Sequence, residues 1–196
     1  KFQFNGRTHN AWSPRVSLIW NPSKNINLKT CYAHSFVDAP FFYRANTTIV
    51  YPGGIGLNPE TMDAIQFNFI WKSPRMGLNG ETNLFFNRFG NLITLLNQGL
   101  VNAGSFQITG LEQTFRLQRG RHTASLNMTL QNVIKSKDYN AHDYYVFCVP
   151  NIMAKLLYNV NAFQSKPYGT LDVHANLSYT GKTRIYNRIE GLDNIH

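Results

Sequence analysis

Apolar and polar residues alternate along most of the chain with a period of two. The alternation is clearest over residues 25–33, 63–71, 121–131 and 170–179, and weaker over residues 14–21, 77–87, 103–118 and 152–163. A period of two predicts β-strands with one apolar and one polar side, whereas a helix needs apolar residues three and four positions apart. No long segment has that helical spacing. The pattern therefore predicts an all-β chain.

The connections between these predicted strands are alternately short and long. Short connections fall at residues 21–24, 73–75, 119–121 and 165–167, long ones at 37–61 and 135–150, and an intermediate one around 97–102. In an up-and-down antiparallel sheet every second connection lies at the same end. One end would then carry tight turns and the other loops, as in outer-membrane barrels. Strands of about 9–11 residues cross a bilayer, and several segments reach that length.

Aromatic residues end the apolar side of several predicted strands, as in the interfacial girdle of a membrane barrel: Trp20, Tyr32, Trp71 and Tyr179. The opposite side carries Asn, Gln, Ser, Thr and Lys, which suits a wet lumen. We therefore predict an antiparallel up-and-down β-barrel segment. The alternative is a soluble secreted all-β ligand-binding module, a sandwich in which each sheet has one wet side.

Composition and charge exclude several classes of protein. Apolar residues make up 43% and charged residues only 15%, which argues against disorder and against a coiled coil. Nineteen basic and ten acidic residues give 19 − 10 = +9, but the cations are spread through turns and polar faces, so no nucleic-acid partner is predicted. Cys31 and Cys148 match no metal or redox spacing. Without an initiating Met or a signal peptide, the chain is expected to be a processed product or an excised piece.

No arrangement of residues typical of an enzyme or a metal site is recognisable. There is no Gly-x-Ser-x-Gly motif, and the glycines of residues 53–56 open no helix. His142-Asp143 is the single hint of an acid/base pair, and it would make a barrel enzyme the third alternative. A metal site needs three or four converging ligands. We predict no catalysis, no metal and no cofactor.

Two aromatic-rich segments lie in the long connections, at the same predicted end of the sheet. Exposed aromatic residues in loops usually serve recognition, although they also pack on neighbouring loops or mark the membrane interface. The predicted ligand-binding residues are Phe41, Phe42, Tyr43, Arg44, Tyr51, His142, Asp143, Tyr144, Tyr145 and Phe147.

Several phrases of the sequence, in order from Ser13 to Thr180, resemble the barrel of TonB-dependent outer-membrane receptors. The first are Ser-Pro-Arg at 13–15 and a Tyr-…-Ser-Phe-…-Ala-Pro phrase at 32–40, which in that family precedes a large external loop. The others are Leu-Asn-Pro-Glu at 57–60, Phe-Asn-Arg-…-Leu-Ile at 86–93, Asn-Ala-Gly…Gly-Leu-Glu at 102–112 and Val-Pro at 149–150.

This resemblance implies a function and a location. It implies energy-coupled uptake of a scarce nutrient such as iron–siderophore, cobalamin or a glycan across the bacterial outer membrane. Residues 1–196 would be a single segment of about nine strands from the later part of a larger transmembrane barrel. They would supply the barrel wall and external binding loops. Implied partners are the small-molecule or glycan nutrient, outer-membrane lipid, and an inner-membrane energy-coupling protein that acts through a plug domain absent from this chain.

Overall fold

The structure is almost entirely β-strand. The computed structural model describes residues 3–4, 7–8, 12–40, 43, 56–96, 99–137, 149–165 and 167–183. Two short hairpins pair β1 (Gln3–Phe4) with β2 (Arg7–Thr8), and β7 (Ile93–Leu96) with β8 (Gly99–Asn102). The other strands are long: β3 (Arg15–Ser23), β4 (Ile26–Val37), β5 (Glu60–Ser73), β6 (Leu78–Gly90), β9 (Ser105–Arg119), β10 (His122–Lys137), β11 (Ile152–Ser165) and β12 (Gly169–Thr180).

The long strands form one antiparallel eight-stranded sheet in the order β12-β11-β10-β9-β6-β5-β4-β3. Because each long strand pairs with its neighbour in the chain, the predicted up-and-down topology is confirmed. The β7–β8 hairpin interrupts the chain between β6 and β9, in the connection expected around residues 97–102. The eight long strands have 9 to 16 residues, which is long enough to cross a bilayer. In the described residues no helix is both long and apolar enough to do so.

One predicted boundary is wrong, because Asn21 and Pro22 belong to β3 rather than to the following turn. The register between β3 and β4 shifts between Trp20 and Ser23, so the strand continues through the proline. Proline lacks the N–H that a strand donates, and it is tolerated mainly at edges and irregular positions. Since β3 is at the end of the sheet order in the described residues, it meets that condition.

The strand register places the predicted apolar sides of the long strands on a single face of the sheet, which we call the apolar face. Directly opposite residues point to the same side, and one such row runs Ile26, Trp71, Gly80, Phe115, Leu126, Leu156 and Leu177. Trp20 and Trp71 lie near the short-turn end of this face. Tyr32 and Tyr179 lie toward the long-loop end. The predicted aromatic positions are confirmed on the apolar face.

The sheet is a single layer with an uncovered apolar face. Among the described residues, the buried hydrophobic ones are Ala39, Leu57 and Ala103, all outside the long strands. Leu18 is 67% exposed and Leu177 is 69% exposed, although both point to the apolar face. A β-sandwich would bury such residues against a second sheet. The described residues supply no such layer, so this face has the character of a barrel wall in contact with lipid.

Two register shifts, one at each end of the sheet, change the face to which the following side chains point. In β10 the register with β9 shifts between Val133 and Lys135, so Lys135 lies opposite Gln107 on the apolar face. In β11 the shift between Asn161 and Phe163 places Phe163 opposite Leu171, again on the apolar face. An extra residue in one strand moves all later side chains to the other side. Uninterrupted alternation would have assigned both residues to the polar face.

Candidate functional site

Most of the predicted ligand-binding residues lie outside the part of the chain that the structure describes. These are Phe41, Phe42, Arg44, Tyr51, His142, Asp143, Tyr144, Tyr145 and Phe147. Tyr43 is described. Its N–H donates to the carbonyl of Pro40 at 3.0 Å, and its side chain is 38% exposed. This residue therefore follows β4 at the long-loop end with its ring accessible, and the remainder of the set stays a prediction.

Asn102 joins three segments at the long-loop end. Its Nδ2 donates to the carbonyls of Asn58 at 2.9 Å and of Asn91 at 2.7 Å. Its Oδ1 accepts the N–H of Asn58 at 2.6 Å. Nearby, the Ile93 N–H donates to Oε1 of Glu60 at 2.7 Å. These bonds attach the β7–β8 hairpin to the chain segments before β5 and after β6. We call this set of bonds the Asn102 platform.

A continuous row of polar residues crosses the apolar face near the same end. Five neighbouring strands place directly opposite one another His34, Asp63, Arg88, Gln107 and Lys135. The Asp63 carboxylate accepts a hydrogen bond from Tyr32 Oη at 2.9 Å and pairs with His34 Nδ1 at 2.8 Å. Lys137 lies two residues beyond Lys135 on the same side. We call His34, Asp63, Arg88, Gln107 and Lys135 the outer polar row.

An open groove of about 510 Å³ lies next to this row. It is lined by Trp12, Pro14, His34, Phe36, Asn58, Pro59, Thr61 and Asn91. His34, Phe36 and Thr61 belong to the apolar face, so the groove opens toward the outside of the barrel wall and not toward the lumen. Its mixture of an exposed indole, other apolar groups and amides suits a partly apolar, partly polar ligand.

The polar face carries a ladder of amide and carboxylate side chains. Asn68 Nδ2 donates to Glu81 Oε1 at 3.1 Å, and Asn83 Nδ2 donates to Glu112 Oε2 at 2.9 Å. The Oδ1 atoms of Asn68 and Asn83 are buried and have no hydrogen-bond partner among the described residues. Glu112, at the end of this ladder, is exposed and can accept further hydrogen bonds from a solute on the polar face.

The outer polar row and the Asn102 bonds are absent from the predicted site residues. Each member of the row is an isolated polar residue in its own strand, and the row exists only through the register of five strands. Asn102 was noticed only as part of a family phrase. No group of three or more potential metal ligands occurs among the described side chains.

Comparison with solved structures shows the fold. FauA, the alcaligin outer-membrane receptor of Bordetella pertussis, matches with a TM-score of 0.63 and 15% identity, over 89% of this chain and 30% of FauA. The siderophore receptor PirA of Acinetobacter baumannii matches with a TM-score of 0.69 and 16% identity, over 88% and 29%. The ferric enterobactin receptor PfeA of Pseudomonas aeruginosa gives 0.68 and 20%, over 88% and 28%.

The chain thus spans about 30% of the length of the solved receptors it resembles. No curated protein sequence matches it significantly. The family model described as "TonB dependent receptor-like, beta-barrel" matches residues 1–192. Members of that family are receptors and transporters of the bacterial outer membrane, which confirms the predicted location and the prediction that the chain is not an enzyme. The chain belongs to the family of TonB-dependent receptor-like β-barrels.

Proposed function

We propose that this chain forms part of the wall and binding surface of an outer-membrane receptor for energy-coupled nutrient uptake. The observation that carries the proposal is the single-layer sheet, with an exposed apolar face, a polar face and all long connections at one end. Such a sheet separates lipid from a wet lumen and presents its loops at one mouth of the barrel.

Siderophore-bound iron is the nutrient that we propose. FauA, PirA and PfeA are named as receptors for alcaligin, siderophores and ferric enterobactin. The polar face supports passage of a hydrophilic ligand, since its Asn–carboxylate ladder can exchange hydrogen bonds with a solute. Cobalamin and glycans are the other nutrients that the sequence resemblance implied, and they serve as comparison substrates in the test.

Ligand binding is proposed to occur through the aromatic segments of the long connections. Phe41, Phe42, Tyr43 and Tyr51 form one segment with Arg44, and His142, Asp143, Tyr144, Tyr145 and Phe147 form the other. Aromatic rings bury a large area at small entropic cost, and Arg44 supplies a fixed positive charge for an anionic ferric chelate. The Asn102 platform supports the first segment, because it holds Asn58 at the end of the connection that carries that segment.

Lipid and an energy-coupling protein are the further proposed partners. The cations of the outer polar row, Arg88 and Lys135, stand where the apolar face gives way to polar residues, a position suited to anionic lipid headgroups. Energy coupling is proposed to reach the barrel through a plug domain, as the family resemblance implies.

Uptake of radiolabelled iron tests the function directly. Cells lacking the gene should fail to accumulate ⁵⁵Fe from at least one ferric siderophore, and the restored gene should recover uptake. A protonophore should abolish uptake without abolishing binding, because transport is energy-coupled. Accumulation of labelled cobalamin or of a labelled glycan instead would redirect the proposal to that nutrient. Normal uptake of every ligand would overturn it.

Variants in the loops test the binding residues within the same assay. Tyr144→Ala combined with Tyr145→Ala should weaken binding of the transported siderophore by at least about thirtyfold, since two aromatic anchors that each contribute more than about 1 kcal/mol together contribute more than about 2 kcal/mol. Tyr168→Ala is the matched control, because Tyr168 is 85% exposed but lies at the short-turn end. Equal binding by both variants would exclude the second aromatic segment from the site.

A further inference from the structure

Three of the four short turns of the sheet carry cations with no acidic residue close to them in the described chain. Lys24, Arg75, Arg119 and Arg121 occupy or flank these three turns, at residues 24–25, 74–77 and 120–121, and all four are exposed. No Asp or Glu lies within residues 22–27, 72–79 or 118–123. These four residues form what we call the short-turn cations. The long-loop end differs, because there Glu60 and Asp63 accompany the basic residues.

Backbone hydrogen bonds connect these turns to the neighbouring strands along the short-turn end of the sheet. The Lys72 N–H donates to the carbonyl of Asn25 at 2.9 Å, and the Gln118 N–H donates to the carbonyl of Gly77 at 2.8 Å. The Asn161 N–H donates to the carbonyl of Arg121 at 3.0 Å. Successive turns are separated by two strand spacings, about 10 Å. The backbone of these turns therefore forms a regularly spaced series, from which the exposed side chains of the cations extend.

The turns are held tightly by their own geometry. In the second turn, the Met76 N–H donates to Ser73 at 3.1 Å and the Gly77 N–H donates to Pro74 at 3.2 Å. Gly77 has a φ of 65°, and a Cβ there would lie 2.0 Å from the carbonyl oxygen of Gln118. Only glycine allows this turn to approach β9 so closely. The position of Arg75 relative to Arg119 is fixed accordingly.

Aromatic residues lie on the apolar face at the strand ends next to these turns. Trp20 and Trp71 approach the ends of β3 and β5, and the Trp71 ring contacts Phe115 edge-on with centroids 6.4 Å apart. On β10 and β11, His122 stacks on Tyr158 with centroids 6.0 Å apart. Trp and Tyr concentrate at the level of lipid headgroups. The short-turn cations lie in the turns just beyond these aromatic residues, where their side chains can reach lipid phosphate groups.

We propose that the short-turn cations bind the anionic phospholipid headgroups of the inner leaflet of the outer membrane. Charge complementarity selects this occupant, because four exposed cations border a surface that is continuous with the lipid-facing side of the sheet. A soluble anion would gain nothing from the adjoining apolar face, because it has no apolar part to bury there. The proposal rests on the membrane orientation of the family and goes beyond nutrient uptake.

Lipid retention measured by native mass spectrometry tests the proposal. The protein, isolated from outer membranes in detergent, is exchanged into mixed micelles of phosphatidylglycerol and phosphatidylcholine. Wild type should retain phosphatidylglycerol preferentially. The variant Arg75→Gln, Arg119→Gln, Arg121→Gln should bind it about fivefold more weakly for each cation removed. Raising the ionic strength should reduce the preference of wild type in the same direction.

A control of equal charge separates a specific surface from net charge. Lys29→Gln, Arg116→Gln, Lys155→Gln removes three positive charges from the polar face instead and should keep the phosphatidylglycerol preference. Equal loss in both triple variants, or no loss in the short-turn variant, would overturn the proposal. The double variant Arg119→Gln, Arg121→Gln takes the place of the triple one if the latter fails to fold. Siderophore uptake is measured separately, so a wild-type protein that retains phosphatidylglycerol but supports no siderophore uptake would count against the nutrient proposal alone.

Discussion

At the scale of single residues, the outer polar row shows how a charged group is accommodated on a lipid-facing surface. Asp63 would be costly on an apolar face if it stood alone. Tyr32 and His34 contact its carboxylate at 2.9 and 2.8 Å, and Arg88 lies directly opposite on β6. The negative charge is thus matched locally. Because Asp63 is the one carboxylate in the row while Arg88 and Lys135 are both cationic, the row keeps a net positive charge.

Replacement of Asp63 should destabilise the barrel measurably. Asp63→Ala removes the acceptor for Tyr32 and His34 and should lower the free energy of unfolding by about 1–2 kcal/mol, as for hydrogen bonds to a partly exposed charged group. Urea unfolding of the refolded protein in lipid vesicles measures this change. Asp172→Ala is the control, because Asp172 accepts one hydrogen bond, from Asn161 at 2.9 Å. A loss no larger than that of the control would contradict the proposed importance of Asp63.

At the scale of elements, each long strand has two chemically distinct sides, and the connections differ in how they are held. The β7–β8 hairpin is held at its base by Asn102, whose side chain bonds to Asn58 and Asn91. The short turns are held largely by backbone hydrogen bonds, and in the first of them Ser23 Oγ also accepts the N–H of Asn25 at 3.3 Å. A single side chain therefore matters more at the long-loop end than at the short-turn end.

Loss of the Asn102 side chain should loosen the hairpin without unfolding the sheet. Asn102→Ala removes three hydrogen bonds and should increase hydrogen exchange of residues 91–104 by at least about tenfold, while β9 and β10 keep their protection. Exchange followed by mass spectrometry detects this pattern. Asn132→Ala, at an exposed Asn of β10, should leave the hairpin unchanged. Faster exchange throughout the sheet would show that Asn102 acts globally.

The two sides of β10 should tolerate an added charge to different degrees. Leu130 points to the apolar face, and its neighbour Thr129 points to the polar face. Leu130→Arg should cost about 2–4 kcal/mol of folding free energy in lipid vesicles, whereas Thr129→Arg should cost less than about 1 kcal/mol. Urea titration in vesicles compares them. Equal costs would show that the faces are assigned wrongly.

At the scale of the whole molecule, the sheet is stabilised by its surroundings more than by a buried interior. Buried hydrophobic residues in the described chain are confined to Ala39, Leu57 and Ala103. Leu18, Leu84 and Leu177 point from the apolar face with 47–69% of their surface exposed. The strands at the ends of the sheet order, β3 and β12, have one paired side each among the described residues. Lipid and further strands satisfy both requirements in a barrel.

Expressed by itself, the 196-residue chain should depend on detergent. In plain buffer its apolar face and sheet edges should drive aggregation, whereas in detergent micelles it should stay in the supernatant after ultracentrifugation. Sedimentation with and without detergent measures the difference. A monomer that unfolds cooperatively in plain buffer would instead support a soluble sandwich module.

Much of the fold could be predicted from the sequence because alternation and turn chemistry are local. The strands around residues 25–33 and 63–71, and the tight turns near Pro74 and Gly120, follow from residues that are neighbours in the chain. Pro22 could not be placed in β3 from its neighbours in the chain, since a strand tolerates proline there because β3 is at the end of the sheet order in the described residues. The aromatic loop residues follow from local composition and from their position in the long connections, and their role stays a prediction.

The strand class, the two-sided character of each strand and the end at which the long connections lie all follow from the order of residues along the chain. Which residues of different strands meet follows only from the way the strands pair. The outer polar row joins residues 34 to 135 through the register of five strands, and Lys135 reaches it because β10 contains one extra residue after Val133. Local patterns extend over a few residues. Register is fixed by pairing between distant segments, and a shift of one residue reverses every side chain beyond it.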